Sequence, residues 1–143
     1  MTHHEHTKIK DVMTLDPRAV ESFATVAEAA KLMRDGDVGP VPIVDDGSVT
    51  GLLTDRDIVV RVVADGKDPS STTVGEVASR DLVTIDPDQT LDEALRLMAR
   101  HRIRRLPVCE DDGRLVGIVA QRDIALEADE ATTGELVEEI SKN

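Results

Sequence analysis

The sequence predicts a mixed α/β (α+β) fold in which two tandem β-α-β-β-α units pack sheet to sheet with pseudo-two-fold symmetry. Three observations predict it. The first is an internal repeat: residues 12 to 58 lie over residues 77 to 124 at an offset of 65, which becomes 66 once Asp112 is inserted in a turn. Val12 falls on Val77, Thr25 on Thr90, Met33 on Met98, Pro42 on Pro107, Gly51 on Gly117 and Asp57 on Asp123. The second is that each copy carries one helix signal followed by two β-rich runs around a turn. The third is composition, because 143 residues that are 40% hydrophobic and 32% charged can bury a real core. One copy alone buries little, whereas two can pack face to face and leave a cleft between them.

Taken in order, RAV at 18–20 predicts a short strand. Thr25 and Glu28 then form a capping box, in which each side chain satisfies a backbone amide of the other, and so open an amphipathic helix that ends at Gly36. VPIV (41–44) and VTGLL (49–53) flank the turn sequence DDGS and predict a hairpin, and a second helix starts at TDRDIVVRVV. The second copy repeats these signals with Thr90 and Glu93, with LPVC and LVGIV around EDDGR, and with AQRDIALEA. Outside the copies, TKIKDVM (7–13), TVGEVAS (73–79) and TGELVEEIS (133–141) look alike, each with a Thr at a helix start. The expected organisation is a flexible N-terminus at 1–8, a first repeat at 9–64, a Gly-, Pro- and Ser-rich linker at 65–73, a second repeat at 74–128 and a C-terminal helical segment at 129–143.

Composition also narrows function. The apolar runs are too short to cross a bilayer and the N-terminus lacks the apolar stretch of a signal peptide, which predicts a cytoplasmic protein with no membrane partner. A formal charge of −12 repels nucleic-acid phosphates over most of the surface. Cys109 stands where the first copy has Val44, within a β-branched run, and is expected to be a small core residue. RLMARHRIRR (96–105) is a cationic exception on this acidic chain. It reads either as a solvated helix end that complements the macrodipole or as an anion site using at least Arg104 and Arg105, where the first copy has Gly39 and Pro40.

Thr54-x-x-Asp57 at the start of the second helix is the main chemical motif, and it is also a capping box that needs no ligand. In the second copy Thr54 becomes Ala120, yet Arg122, Asp123 and Ile124 remain. A carboxylate kept without its capping hydroxyl favours a ligand role, and the first site is expected to be the more complete of the two.

On the two-fold repeat, the tracts GPVPIVDDGSVTGLLTDRDI and RRLPVCEDDGRLVGIVAQRDI, and the lead-in VTIDPDQTLDEALRLM, the chain resembles the cystathionine-β-synthase-type domain pair, the CBS pair or Bateman module, from about Ile9 to Leu126. The stretch LTDRDIVVRVVADGKDP is further similar to small stand-alone actinobacterial members. The resemblance implies a cleft that binds an adenosine-containing ligand, AMP, ADP, ATP or S-adenosylmethionine, as a regulatory ligand and not an obligatory cofactor. It also implies a homodimer. By it, Asp57 would hold the ribose diol, Thr54 a phosphate, and Val20, Val41 and Pro42 the adenine. Arg56, Arg104 and Arg105 would neutralise the phosphates. In the second copy the matching expectations are Val83, Thr84, Leu106, Pro107, Arg122 and Asp123, with Ala120 departing from the family's hydroxyl.

No catalytic triad spacing, Walker-type loop, CxxC or HExxH is found, so no enzyme is expected. His3, His4 and His6 form a short cluster that is a weak metal candidate. Two readings therefore stand. One is a regulatory sensor that signals in trans to an unknown protein partner. The other is a ligand-free interaction or scaffold protein that acts through its acidic surface.

Overall fold

The computed structural model describes residues 7–15, 17–36, 39–79 and 82–127. Each copy builds one helix and one hairpin. In the first, α1 (Val26–Gly36) precedes β2 (Val41–Asp45) and β3 (Ser48–Leu53); in the second, α4 (Leu91–His101) precedes β4 (Arg105–Cys109) and β5 (Leu115–Ala120). The expected caps are in place, with the Glu28 amide donating to Thr25 Oγ1 at 3.2 Å and the Glu93 amide to Thr90 Oγ1 at 3.3 Å. Both hairpins are antiparallel and carry an irregularity at the equivalent step, Ile43/Val44 and Val108/Cys109. The core falls into two clusters, one per copy. Val26, Ala29, Val41 and Leu53 anchor the first; Leu91, Ala94, Leu106 and Val119 anchor the second.

The predicted strand at 18–20 contracts to a single residue. Val20 makes a parallel bridge to Ile43, its amide donating to the Pro42 carbonyl and its carbonyl accepting from Val44. Ile85 does the same between Pro107 and Cys109. Proline at position 17 lacks an amide, and Arg18 and Ala19 are exposed, so nothing extends the ladder upstream.

The look-alike segments before each copy have exchanged places. A 3-10 turn at Ile9–Asp11 and strand β1 (Thr14–Leu15) precede the first copy yet pack on the second. Ile9 is fully buried in the second cluster, and β1 joins β5 to make a three-stranded sheet. Conversely, α3 (Val74–Val77) precedes the second copy and packs on the first, burying Val74, Val77 and Ala78. The hydrogen bonds repeat at the same offset: Ile9 amide to Gln89 carbonyl matches Val74 to Ala24, Lys10 to Pro87 matches Gly75 to Ser22, and Leu91 to Thr7 matches Val26 to Thr72. Repeat 1 as read from sequence, 9–64, thus begins with residues that belong spatially to the other half.

The expected linker is tied down rather than loose. Thr72 is buried, its hydroxyl donates to the Asp68 carbonyl at 2.7 Å, and the Pro69 carbonyl accepts from the Ala27 amide. The second helix of copy 1 is α2 (Asp55–Ile58), which widens into a π-helix over Val59–Val63; in copy 2, residues 121–127 are helical. Cys109 is buried as expected, and desolvation pushes its thiol up to about 11, which removes it as a nucleophile near neutral pH. The expected N-terminal histidines and the C-terminal segment 129–143 lie outside the described residues.

Candidate functional site

A cleft of about 870 Å³ opens where the two copies meet. Copy 1 and its leader supply Thr14, Pro17, Arg18 and Pro40. Copy 2 supplies Arg104, Arg105 and Ile118, with Ala120, Gln121, Arg122, Asp123, Ala125 and Leu126 beyond them. The exchange of leaders creates this mixed lining, because pairing of β1 with β5 sets Thr14 opposite Ile118 and delivers Pro17 and Arg18 to the same wall.

Asp123 is the carboxylate of the site. Its Oδ2 accepts from the Ala120 amide at 3.3 Å, the half of a capping box that survives without a hydroxyl at position 120. The Gln121 amide donates to the Arg104 carbonyl at 2.7 Å, which ties the start of the last helical stretch to the strand edge carrying Arg104 and Arg105. Arg18, Arg104 and Arg122 are exposed and Arg105 is half-buried. Ion pairs among the described residues engage Lys8, Lys10, Arg34 and Arg114, and none of these four cleft arginines.

The motif expected to be the fuller site is in a different state. At Thr54 and Asp57 both halves of the capping box are made: the Asp57 amide donates to Thr54 Oγ1 at 3.1 Å and the Thr54 amide to Asp57 Oδ2 at 3.0 Å. These residues and Arg56 do not line the larger cleft. The apolar residues assigned to the adenine also lie elsewhere. Val41 and Leu106 are fully buried, Val20, Pro42 and Pro107 are buried, Val83 is half-buried and Thr84 is exposed. Val20, Val41 and Leu106 belong to the two cores, with Val83 packed against the second, and none of the seven lines the larger cleft. The structure thus brings Arg104, Arg105, Arg122 and Asp123 together and leaves the other expected site residues outside.

Sequence reading missed Thr14, Pro17 and Arg18 as cleft residues. The signal that could have found them was the likeness of TKIKDVM to TVGEVAS, since two interchangeable leaders can be exchanged. It also took Asp45 for a turn residue. Asp45 accepts from the Ser22 amide and hydroxyl, both at 3.0 Å, and from the Thr50 hydroxyl at 2.8 Å, which holds its carboxyl below the usual aspartate value. It borders a smaller cleft of about 350 Å³ with Gly51, Gly75 and Ser79. Among the described residues no cluster of three or more His, Cys, Asp or Glu side chains could hold a metal ion, and no helix is long and apolar enough to cross a membrane.

Comparison with known proteins agrees with this architecture. The family model for the CBS domain matches residues 9–64 and 74–130. The CBS domain-containing protein YhcV of Bacillus subtilis is 46% identical over 120 residues, covering 84% of each chain. Hypoxic response protein 1 of Mycobacterium tuberculosis is 41% identical over 120 residues, 83% of each chain. A crystal structure of Hypoxic Response Protein I with two coordinated zinc ions superposes with a TM-score of 0.78 at 41% identity, covering 83% of this chain and 97% of that one. The CBS domain pair of protein MJ0100, in complex with 5-methylthioadenosine and S-adenosyl-L-methionine, has a TM-score of 0.75 at 32% identity, with 83% and 93% covered.

Proposed function

Because the chain belongs to the CBS-domain family, we propose that it is a regulatory module that binds an adenosine-containing ligand, AMP, ADP, ATP or S-adenosylmethionine, in the cleft between its repeats. The bound state is passed in trans to a protein partner through conformation or dimer arrangement. The observation that carries this reading is the mixed lining of the cleft, a carboxylate and arginines from copy 2 facing Thr14, Pro17, Arg18 and Pro40. A carboxylate accepts two hydroxyl hydrogen bonds, which suits a ribose diol, and guanidinium groups suit phosphates. A ligand that touches both copies favours one relative arrangement by its differential affinity, which is the physical requirement for a sensor. The adenosyl ligands of the MJ0100 pair support the same class.

On this reading the chain is a binding module and not an enzyme, works in the cytoplasm, and engages neither nucleic acid nor membrane, in keeping with its charge of −12. It is a homodimer through the exposed apolar residues Val59, Val60, Val63 and Leu126. The second reading, a ligand-free interaction protein acting through its acidic surface, draws on the Thr54–Asp57 cap, which is complete with no ligand. Thermal unfolding with each of the four ligands separates the two. At a ligand concentration of about 100 times Kd the native state gains roughly 2.7 kcal/mol, a shift of several degrees. A shift that disappears in Asp123→Ala supports the sensor, and no shift with any ligand leaves the interaction protein.

A further inference from the structure

The two hairpins differ at one corner, where each is covered by the leader it received. In copy 2 this corner is plugged and its charges are paired. The Met13 side chain lies on Gly117, its Sδ 2.7 Å and its Cγ 3.0 Å from where a Cβ would stand. The acid at the end of β4, Glu110, has its own cation in Arg114 at 2.6 Å. On the leader, Lys8 and Lys10 reach Asp88 at 4.0 and 3.1 Å. Moving Met13, Glu110, Arg114, Lys8 and Lys10 by the repeat offset gives Ala78, Asp45, Ser48, Thr73 and Gly75. Copy 1 therefore keeps the acid and lacks both the plug and the cations.

The consequence is open space beside a charge. Over Gly51 the Ala78 Cβ stays 4.0 Å from the Cβ position, and the corner opens as the cleft of about 350 Å³ lined by Asp45, Thr50, Gly51, Gly75 and Ala78 among others. Asp45 is held by neutral donors: Oδ1 accepts from the Ser22 amide and hydroxyl, and Oδ2 from the Thr50 hydroxyl. These donors keep the carboxyl ionised without neutralising it. Asp45 enters no ion pair among the described residues. A carboxylate offers about four acceptor positions, so the three donors leave one, on Oδ2. With Thr73 and Gly75 in place of the two lysines, no cation at these leader positions repels an incoming one.

We infer that this smaller cleft is a second binding site, sharing no lining residue with the cleft between the copies, and that it takes an ammonium group on an unbranched alkyl stem, as carried by a lysine side chain or a free alkylamine. The stem fills the space that Met13 fills in the other copy, because a lysine stem and a methionine side chain are both unbranched and of similar length. The head group supplies the charge that Arg114 supplies to Glu110. An ammonium donates from a single point and needs only the open position on Oδ2, whereas a guanidinium fork engages both oxygens, and Oδ1 already carries two donors. A net charge of −12 raises the local concentration of such cations. The site does not depend on the adenosyl reading above.

The test is an amide NMR titration of the full chain with pentylamine, N-acetyl-lysine methylamide, pentylguanidine and 1-pentanol, on the parent, Asp45→Asn and Ala78→Met. The expected result is saturable shifts of the Thr50, Gly51, Gly75 and Ser79 amides with the ammonium compounds, and affinity roughly tenfold lower for pentylguanidine and pentanol, in line with the loss of a charge-assisted contact. Asp45→Asn weakens the ammonium compounds to the level of pentanol. Ala78→Met restores the plug of copy 2 without changing any charge, so it abolishes the shifts by filling the space, whereas adventitious attraction of amines to an acidic surface survives it. Circular dichroism confirms that each variant folds, and the isosteric Asp45→Asn gives a second route should Ala78→Met not. Shifts that fail to saturate, that persist in folded Ala78→Met, or that pentanol or pentylguanidine produces equally overturn the inference. Capped lysine binding as tightly as pentylamine upholds the site and assigns it to a polypeptide's lysine; saturable binding of pentylamine alone upholds it and assigns it to a free amine.

Discussion

Ser48 and Arg114 occupy the same position in the two copies, and they face each other across an antiparallel bridge. The pseudo-two-fold axis therefore passes between the two hairpin turns. The Val49 amide donates to the Gly113 carbonyl at 3.0 Å and the Ser48 hydroxyl to the Asp112 carbonyl at 3.4 Å. Asp112 is the one inserted residue, so the extra turn residue is spent on this contact. Away from the axis, the halves are joined by the exchanged leaders.

Gly117 and Gly51 are equivalent but differently crowded. A Cβ at Gly117 would lie 2.7 Å from Met13 Sδ and 2.8 Å from the Thr14 carbonyl oxygen, whereas at Gly51 the nearest atoms, Ile43 Cδ1 and the Ser79 carbonyl, are 3.3 Å away. Gly117→Ala must push β1 off β5 and should cost about 1–3 kcal/mol, the range for overpacking. Gly51→Ala should cost clearly less. Denaturant melts of both variants give the comparison, and equal losses would contradict the close approach of the leader.

Ile9 is fully buried in the second cluster although it precedes the first copy. Ile9→Ala should cost about 2–5 kcal/mol, as a core truncation does. Its local signature should be faster amide exchange in β4 and β5 rather than in β2 and β3. Loss of protection first in the nearer-numbered hairpin would mean that the leader packs on its own copy.

Asp45 sets a pH dependence. Its carboxyl is held below its ordinary value of 3.8 by the Ser22 amide first, then by the Thr50 and Ser22 hydroxyls. A depressed folded-state pKa means that the unfolded chain takes up the proton more readily. The stabilisation is therefore whole above the ordinary value and is lost as pH falls through the lower, folded-state one. Asp45→Asn should lower Tm at pH 7, and the gap between variant and parent should narrow below about pH 4, near the unperturbed aspartate value. A gap that stays constant from pH 7 to pH 3 would remove the ionised carboxylate from the explanation.

Val60 and Leu126 are repeat equivalents and are 47% and 52% exposed. With Val59 and Val63 they form the apolar surface proposed to close a dimer. Sedimentation equilibrium should show the parent as a dimer at micromolar concentration and Val60→Asp/Leu126→Asp as a monomer that remains folded. A parent that sediments as a monomer would retire the dimer.

Much of the fold was legible because its signals are local. Thr25 with Glu28, Thr90 with Glu93 and the two DDG turns each fix their own element through neighbouring residues. The exchange of leaders was not legible. Ile9 and Val74 are both apolar residues at equivalent places in the repeat, so the local sequence does not say which core each one enters. The site was half legible for the same reason. Arg104, Arg105, Arg122 and Asp123 sit in one copy's motifs, while Arg18 reaches them by a strand pairing about a hundred residues away in sequence, between β1 and β5. At Thr54 the hydroxyl completes a cap and closes the motif on itself, whereas Ala120 leaves its counterpart beside an open cleft, a difference that the shared Arg-Asp-Ile residues do not announce.

The crossed leaders also order events as the chain is made. The first core cannot close until Val74, Val77 and Ala78 have emerged from the ribosome, by which time α4 has yet to follow. Ile9, made well before the second hairpin, finds its place only when β4 and β5 exist. During translation, then, the first core can close once Ala78 is out, while the segment around Ile9 waits for the second hairpin, so the half that is made first is finished without its own leader.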